Sequence, residues 1–242
     1  MSADIYVSLS GHVAIERRLA TIANNIANLG TTGFRAEEVH FEAILSSFRG
    51  QATTYANQGD TYLSRRAGAL VPTGNPLDLA IVGDAWFAID VGGGDVAHTR
   101  DGRFTLTEAG DLVTATGHAV LDAGGGPIAV DPAAGPVEIG NDGTIAQNGQ
   151  RVGVVGLFLI PDSARLQRFG DAAVVADADA VPADDLVANG VRQGFLEQAN
   201  VDPVLEITRL IMVQRGFESV ANAIEARDQS LRSAIRQLGP GA

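Results

Sequence analysis

The two ends of the chain carry a different hydrophobic pattern from its middle. From Val204 to Leu238, Ile207, Leu210, Phe217, Ala221, Ile224, Leu231, Ile235 and Leu238 recur at alternating spacings of three and four, interrupted only by Gln214 and Asp228. That is a heptad seam, the pattern of a long helix lying along another long helix. The opposite face is polar, with Arg209, Glu218, Glu225, Arg232 and Arg236. About 35 residues at ~1.5 Å each make a rod of about 50 Å, more than a small domain can cover, so the seam needs a partner. At the other end Ile5, Ile15, Leu19, Ile22, Ile26 and Leu29 follow the same spacing, with Ser8 and His12 weakening its start. A smaller face of Leu9, Val13, Ala20, Ala23 and Ala27 lies beside it. The first helix is expected to end near Asn28, with Gly30 in the left-handed position that closes a helix. Asn24, Asn25 and Asn28 are poor helix formers. They suit either a fraying, exposed helix end or interhelical amide bonds that fix register in a packed bundle.

Between the helices the pattern changes. Val39, Phe41, Ile44, Leu45 and Phe48 predict a short helix or a partly buried turn, Gln51 to Asp60 an extended or loop segment, and Tyr62 to Arg66 a strand. From Asn75 to about Phe195 turn signals recur at short intervals: Gly83-Asp84, Gly92-Gly93-Gly94, Asp101-Gly102, Gly110-Asp111, Gly124-Gly125-Gly126, Asp142-Gly143 and Asn148-Gly149. Such punctuation indicates hairpins. Val152 to Ile160 reads as one buried central strand, and the acidic, alanine-rich stretch 172–185 as an exposed loop. Asn200 or Asp202 can cap the last helix, with Pro203 in its first turn. The expected fold class is therefore α+β: long N- and C-terminal helices packed as a coiled-coil-like pair, and an all-β middle domain of hairpins. The expected organisation is 1–36 and 197–242 as a helical inner domain, 37–74 as a connecting segment, and 75–196 as the β domain.

Charge sharpens this division. Residues 1–36 carry Asp4 and Glu16 against Arg17, Arg18 and Arg35, and residues 197–242 carry six acids against five arginines, so the net −12 resides in 37–196. An acidic middle disfavours nucleic acid and anionic membrane, and near-neutral ends suit burial against other helices. No apolar run reaches the ~18–20 residues of a membrane span, and the first residues lack a basic region followed by an apolar core. Without such a leader, any passage out of the cytoplasm is expected to use a route that cleaves none. The chain has no cysteine, so disulfides and thiolate metal sites are excluded.

Catalytic chemistry finds little support. His12, His40, His98 and His118 have no metal-ligand spacing, and no nucleophile-elbow sequence accompanies Asp162 and Ser163. The run from Asp177 starts like a calcium loop but has Pro182 at its sixth position and Ala188 at its twelfth. Neither glycine triplet continues into a phosphate-binding motif. No cofactor or metal is expected. The rival enzyme reading is an all-β hydrolase of cell-wall polymer using Asp84, Asp101 or Asp142, but these acids stand in turns that favour Asp for conformational reasons. What remains is assembly, with Ile15, Leu19, Ile22, Ile26, Ile207, Leu210, Ile211, Phe217, Ile224, Leu231, Ile235 and Leu238 at the interface. The two helices could instead pair within a monomer, as the stalk of an adhesin-like binding module.

Three stretches carry a family resemblance. Ala23-Asn24-Asn25-Ile26-Ala27-Asn28-Leu29-Gly30-Thr31-Thr32-Gly33-Phe34-Arg35 resembles the N-terminal signature of the axial rod and hook proteins of the bacterial flagellum. Gly74 to Ile81 with Gly83-Asp84, and then Thr99-Arg100-Asp101-Gly102-Arg103-Phe104, resemble the rod-type β domain. Gln198 to Asp202 through Gln214-Arg215-Gly216-Phe217-Glu218 resembles the C-terminal signature, with Gly216 in place of an expected alanine. The resemblance implies a structural subunit of the basal-body rod, most like a proximal-rod member, with a distal-rod member as the alternative. Its implied partners are copies of itself, other proximal and distal rod proteins, and the flagellar export apparatus. It also implies export without a cleaved signal and helical stacking into a torque-transmitting shaft across the periplasm. Terminal helices, with Asn24, Asn25 and Asn28, would line an inner tube around the export channel, and the β domain would form the outer layer.

Overall fold

The computed structural model describes residues 2–40, 43–48, 51–56 and 60–238. Helix α1 spans Ser2–Ala27 and helix α2 spans Pro203–Leu238. Between them the strands are β1 (Glu37–His40), β2 (Ala43–Phe48), β3 (Gln51–Ala56), β4 (Asp60–Leu63), β5 (Leu70–Pro72), β6 (Leu79–Val82), β7 (Trp86–Gly92), β8 (Asp95–Thr99), β9 (Phe104–Leu106) and β10 (Leu112–Thr114). They continue with β11 (Val137–Ile139), β12 (Thr144–Gln147), β13 (Gln150–Val154), β14 (Leu157–Leu159), β15 (Leu166–Phe169), β16 (Ala173–Ala176), β17 (Val181–Pro182), β18 (Gly190–Gln193) and β19 (Phe195–Glu197). The fold is α+β with a β-rich middle. Two compact units divide it: Met1–Ile26, Glu38–Thr61 and Asp202–Ala242 form one, and Ala27–Glu37 with Tyr62–Val201 form the other.

The second unit is built on a six-stranded sheet ordered β15-β16-β8-β7-β14-β17. Strand β7 runs through its centre and is buried on both faces from Trp86 to Ile89. Phe87 joins the principal core with Leu79, Ile81, Phe104, Val120, Ile145 and Leu157, and its ring meets Phe104 edge-on at 5.1 Å. Trp86, one residue away and so on the opposite face, packs with Leu63, Ile160, Ala164 and Val174. Smaller antiparallel sheets surround this one, including β11-β12-β13, β18-β6 and β19-β5.

Several expectations are corrected. Residues 37–40 and 43–48 form strands in place of the expected short helix or turn, and 51–56 takes the extended form of the two expected: β2 pairs with β3 from Ala43↔Ala56 to Phe48↔Gln51, and β1 pairs with β4. A short apolar run has no period that separates helix from strand, and here Thr53, Thr54 and Tyr55 tip it towards β. Phe41 lies outside the described residues. The apolar run 152–160 is not one strand. It breaks between β13 and β14, which lie in different sheets. A Cβ on Gly156 would sit 2.6 Å from the carbonyl of Asp122, so the chain kinks where two backbones meet. The stretch 172–185 is not a loop, because it contributes β16 and β17. Ala173 and Val174 are buried there, as small residues that hide the alternation. Gly30 does not close α1; it is Gly33 that takes positive φ, at 70°. Asp202 caps α2, accepting from the Val204 and Leu205 amides at 2.9 and 3.1 Å.

His98 sits in β8, buried, with no hydrogen-bond partner for Nδ1. Burial holds its pKa below the ordinary 6.5. A depressed folded-state pKa leaves stability unchanged above the unfolded value. Stability is then lost as pH falls towards the folded value, because the unfolded chain takes up the proton first. Chemical denaturation at pH 7 and pH 5 should therefore show a loss on acidification that His98→Gln reduces. An equal loss in both proteins would exclude His98 as its source.

Candidate functional site

Three segments far apart in sequence meet at Glu197, the last residue of β19. Its side chain is fully buried. Oε1 accepts from Arg35 Nη1 at 2.7 Å and from the Gly68 amide at 2.6 Å, and Oε2 accepts from Arg100 Nη1 at 3.1 Å. The Glu197 carbonyl accepts from the Gly33 amide at 2.8 Å. Both guanidinium groups are buried as well. Arg35 also donates to the Arg66 carbonyl at 2.9 Å and Arg100 to the Gly83 carbonyl at 2.8 Å.

Two cations and one anion leave a buried excess of one positive charge. Trp86 lies against both cations, its ring 5.2 Å from the Arg35 guanidinium carbon and 5.3 Å from that of Arg100. Its negative ring face compensates part of the excess. It also faces a cluster in which Arg35 Nε and Nη2 and Arg100 Nε have no hydrogen-bond acceptor. Burial pushes the Arg100 pKa down to about 10, with Glu197 opposing the shift and Arg35 adding to it. Arg100 therefore remains charged at neutral pH.

The backbone is shaped to allow this approach. Gly33 rests on Arg100 and Asp101 so closely that a Cβ there would strike their backbone atoms, and its φ is positive. Asn200 completes the junction: Oδ1 accepts from the Ala36 amide at 2.6 Å, and Nδ2 donates to the carbonyls of Arg66 at 2.7 Å and Ser64 at 3.3 Å. Arg168 closes it from outside, donating to the Arg35 carbonyl at 2.8 Å with its guanidinium 4.3 Å from the Phe34 ring. None of Arg35, Trp86, Arg100 and Glu197 was singled out by periodicity, because a buried ion cluster has no period. The available signal was charge placed inside glycine-rich apolar segments.

The helix residues expected at an interface occupy varied environments. In α1 Ile22 and Asn25 are buried, while Ile15, Leu19, Asn24 and Ile26 are half-buried, as is Asn28 just after it. In α2 Glu206 and Val213 are buried and Leu210 is half-buried, but Ile207, Ile211 and Phe217 are exposed. Ile224, Leu231, Ile235 and Leu238 are helical, and their side chains lie outside the described residues. His12 of α1 and Phe217 of α2 bring their rings within 4.9 Å. A Cβ on Gly216 would meet nothing within 4 Å among the described residues.

The acids weighed for hydrolysis are engaged locally. Asp101 pairs with Arg103 at 2.6 Å. Asp142 accepts from the Thr144 amide and hydroxyl, which hold its carboxyl below the usual range. Among the described residues no cluster of three or more His, Asp or Glu could hold a metal, and no helix is long and apolar enough to cross a membrane. Glu197→Gln should be the most damaging single change to this unit. Losing one side of a buried pair costs about 3–5 kcal/mol, readable as a lowered denaturation midpoint in the fluorescence of Trp86, the lone tryptophan. A loss below about 1 kcal/mol, the worth of a surface pair, would contradict this.

Comparison with known proteins follows the same three segments. A family model of the flagella basal body rod protein matches residues 5–35. The D1 domain model of flagellar hook protein FlgE/F/G matches 80–147, and the C-terminal model of flagellar basal body rod FlgEFG protein matches 192–237. Arg35 falls in the first, Trp86 and Arg100 in the second, and Glu197 in the third. Flagellar basal-body rod protein FlgF of Mesorhizobium japonicum is 48% identical over 239 residues, covering 99% of each chain. FlgF of Rhizobium meliloti is 46% identical over 239 residues with the same coverage, and FlgF of Caulobacter vibrioides is 39% identical over 243 residues, covering 97% of each. Matched along its whole length by proteins of this kind, the chain belongs to the flagellar basal-body rod protein family and is a structural component of the basal body.

Proposed function

We propose that the chain is a proximal-rod subunit that assembles helically with copies of itself and with other rod proteins. The observation that carries this reading is the exposed apolar surface of α2. Val204 is 74% exposed, Met212 64%, Ile207 50%, Ile211 46% and Phe217 42%. Apolar side chains exposed to this extent along one helix mark a surface awaiting a partner, and Ile207 and Phe217 among them lie on the heptad seam that fits another helix.

In the assembled rod, residues 1–36 and 197–242 act as the helical inner domain, paired in coiled-coil fashion and enclosing the export channel. The β domain of 75–196 forms the outer layer, and residues 37–74 connect the two. Asn24, Asn25 and Asn28 set helix register, with Ile15, Leu19, Ile22, Ile26, Ile207, Leu210, Ile211, Phe217, Ile224, Leu231, Ile235 and Leu238 as the packed seam. The subunit reaches its place across the periplasm through the flagellar export apparatus without a cleaved signal. Torque passes through many interlocked helices, so no single side chain is its site.

Folding and polymerisation are coupled on this reading, since lone helices with uncovered seams are marginal in water. Limited proteolysis of the soluble chain should therefore release a stable core near residues 37–196 and digest both ends. Protected helices in a monodisperse monomer would favour the intramolecular stalk instead. Ile211→Glu places a charge on the exposed stripe without disturbing a buried residue. It should keep the β-unit's denaturation midpoint and abolish incorporation into basal bodies. Normal incorporation of Ile211→Glu would remove α2 from the interface.

A further inference from the structure

The β unit also carries a surface pair unrelated to the helices. Between β17 and β18 the chain makes a turn whose tip is Leu186-Val187. Val187 is 98% exposed, and Leu186 beside it is 39% exposed. Val82, across the β6–β18 pair from Gly190, is 41% exposed. One exposed valine needs no explanation. This one differs because its turn is fixed from several sides. Asp185 Oδ1 accepts from the Val187 and Ala188 amides at 3.0 and 3.1 Å. Asn189 donates its amide to the Asp185 carbonyl at 2.9 Å, and its Oδ1 accepts from the Asp84 and Ala85 amides at 2.9 and 3.1 Å. Gly83 packs against the Ala188 carbonyl so tightly that a Cβ would collide. The turn thus holds an apolar tip in solvent, already ordered, and an ordered tip loses little conformational entropy on docking.

The same unit has a receptor of matching character. A cleft of about 410 Å³ is lined by Asp122, Gly124, Arg151, Val152, Gly153 and Val154 among others, with the Asp122 carboxylate accepting from the Gly124 and Gly126 amides at 2.8 and 2.9 Å. Val152 is 44% exposed at its wall. Arg151, in the same lining, is exposed. The tip in turn carries exposed Asp184 and Asp185 beside its apolar pair. Apolar tip to apolar wall and carboxylate to guanidinium make the two surfaces complementary in both respects.

We propose that the Leu186-Val187 turn of one copy docks in the Val152 cleft of a second copy, with Asp184 against Arg151. Two different patches of one unit that complement each other make a heterologous contact, the kind that repeats along a helical assembly. The contact rests on the rod-subunit reading and adds to it a lateral bond between β units, outside the helical seam.

The chain has no cysteine, so single cysteines report this contact without background. Full-length Val187→Cys and Val152→Cys chains would be co-expressed in flagellated cells, and basal bodies isolated and oxidised. The expected result is a disulfide-linked dimer in the co-expressed sample and none when either variant is present alone, since a disulfide requires Cα atoms within about 7 Å. Val187→Asp, at a position too exposed to affect folding, should weaken incorporation of the full chain. Basal bodies that contain both cysteine variants without the dimer, or that take up Val187→Asp normally, would overturn this contact and leave the rod reading intact. Absence of the wild-type chain from basal bodies would overturn that reading, and the contact with it.

Discussion

Glu197 is the one anion between two buried cations, and the junction depends on it. Without its carboxylate, Arg35 and Arg100 would face each other in an interior that could offer them only carbonyls and the Trp86 ring. A buried pair is weak evidence of net stability against an apolar replacement. Its value here is specificity. Arg35 belongs to the segment leaving α1, Arg100 to the turn after β8, and Glu197 to the strand leading to α2. Any arrangement that misplaces one of the three leaves an uncompensated charge in the core, so wrong dockings of these segments are penalised far more than the right one is rewarded.

This explains how one short region can carry glycine and polar residues at high density and still be rigid. Gly33 and Gly68 bring backbones close enough for their amides to donate to Glu197, while Asn200 satisfies the strand-like stretch around Ala36. Each group that a longer side chain would shield is instead paired with a named partner. The segments on either side, 33–36 and 197–200, are thereby held within the β unit by hydrogen bonds and charge, which are directional.

Much of the architecture was legible in the sequence because periodicity records what faces water. The 3–4 spacing identified α2 from Pro203 to Leu238, and glycine-rich turns identified the hairpins such as β7–β8. What stayed hidden was set by long-range contact. Gly156 breaks an apolar run only because Asp122 lies beneath it, and Ala173 and Val174 become strand only because β8 is adjacent. Phe34-Arg35 and Thr99-Arg100 could be recognised inside signature segments, while Glu197 stands just before the third, which begins at Gln198; nothing in their spacing states that they converge. The exposed side of α2 was legible for a related reason: a heptad seam describes the partner that covers it, whether or not that partner is in the same chain.

Two kinds of interaction are thus kept apart in this molecule. The buried charges are gathered around Glu197, where the chain supplies the carboxylate, two backbone carbonyls and the Trp86 ring as their partners. Apolar side chains also remain exposed, on the β unit and along α2, at residues that the chain does not cover. A subunit that buried its stripe internally would have nothing to give a neighbour. One that placed its ion cluster at the neighbour interface would have to desolvate charge with every subunit added. Carrying the whole −12 in residues 37–196 adds a further condition. Long-range repulsion between such β units falls off over ~8–10 Å at physiological salt, so neighbours can approach closely at modest cost. In the proposed rod, helix burial then supplies the attraction.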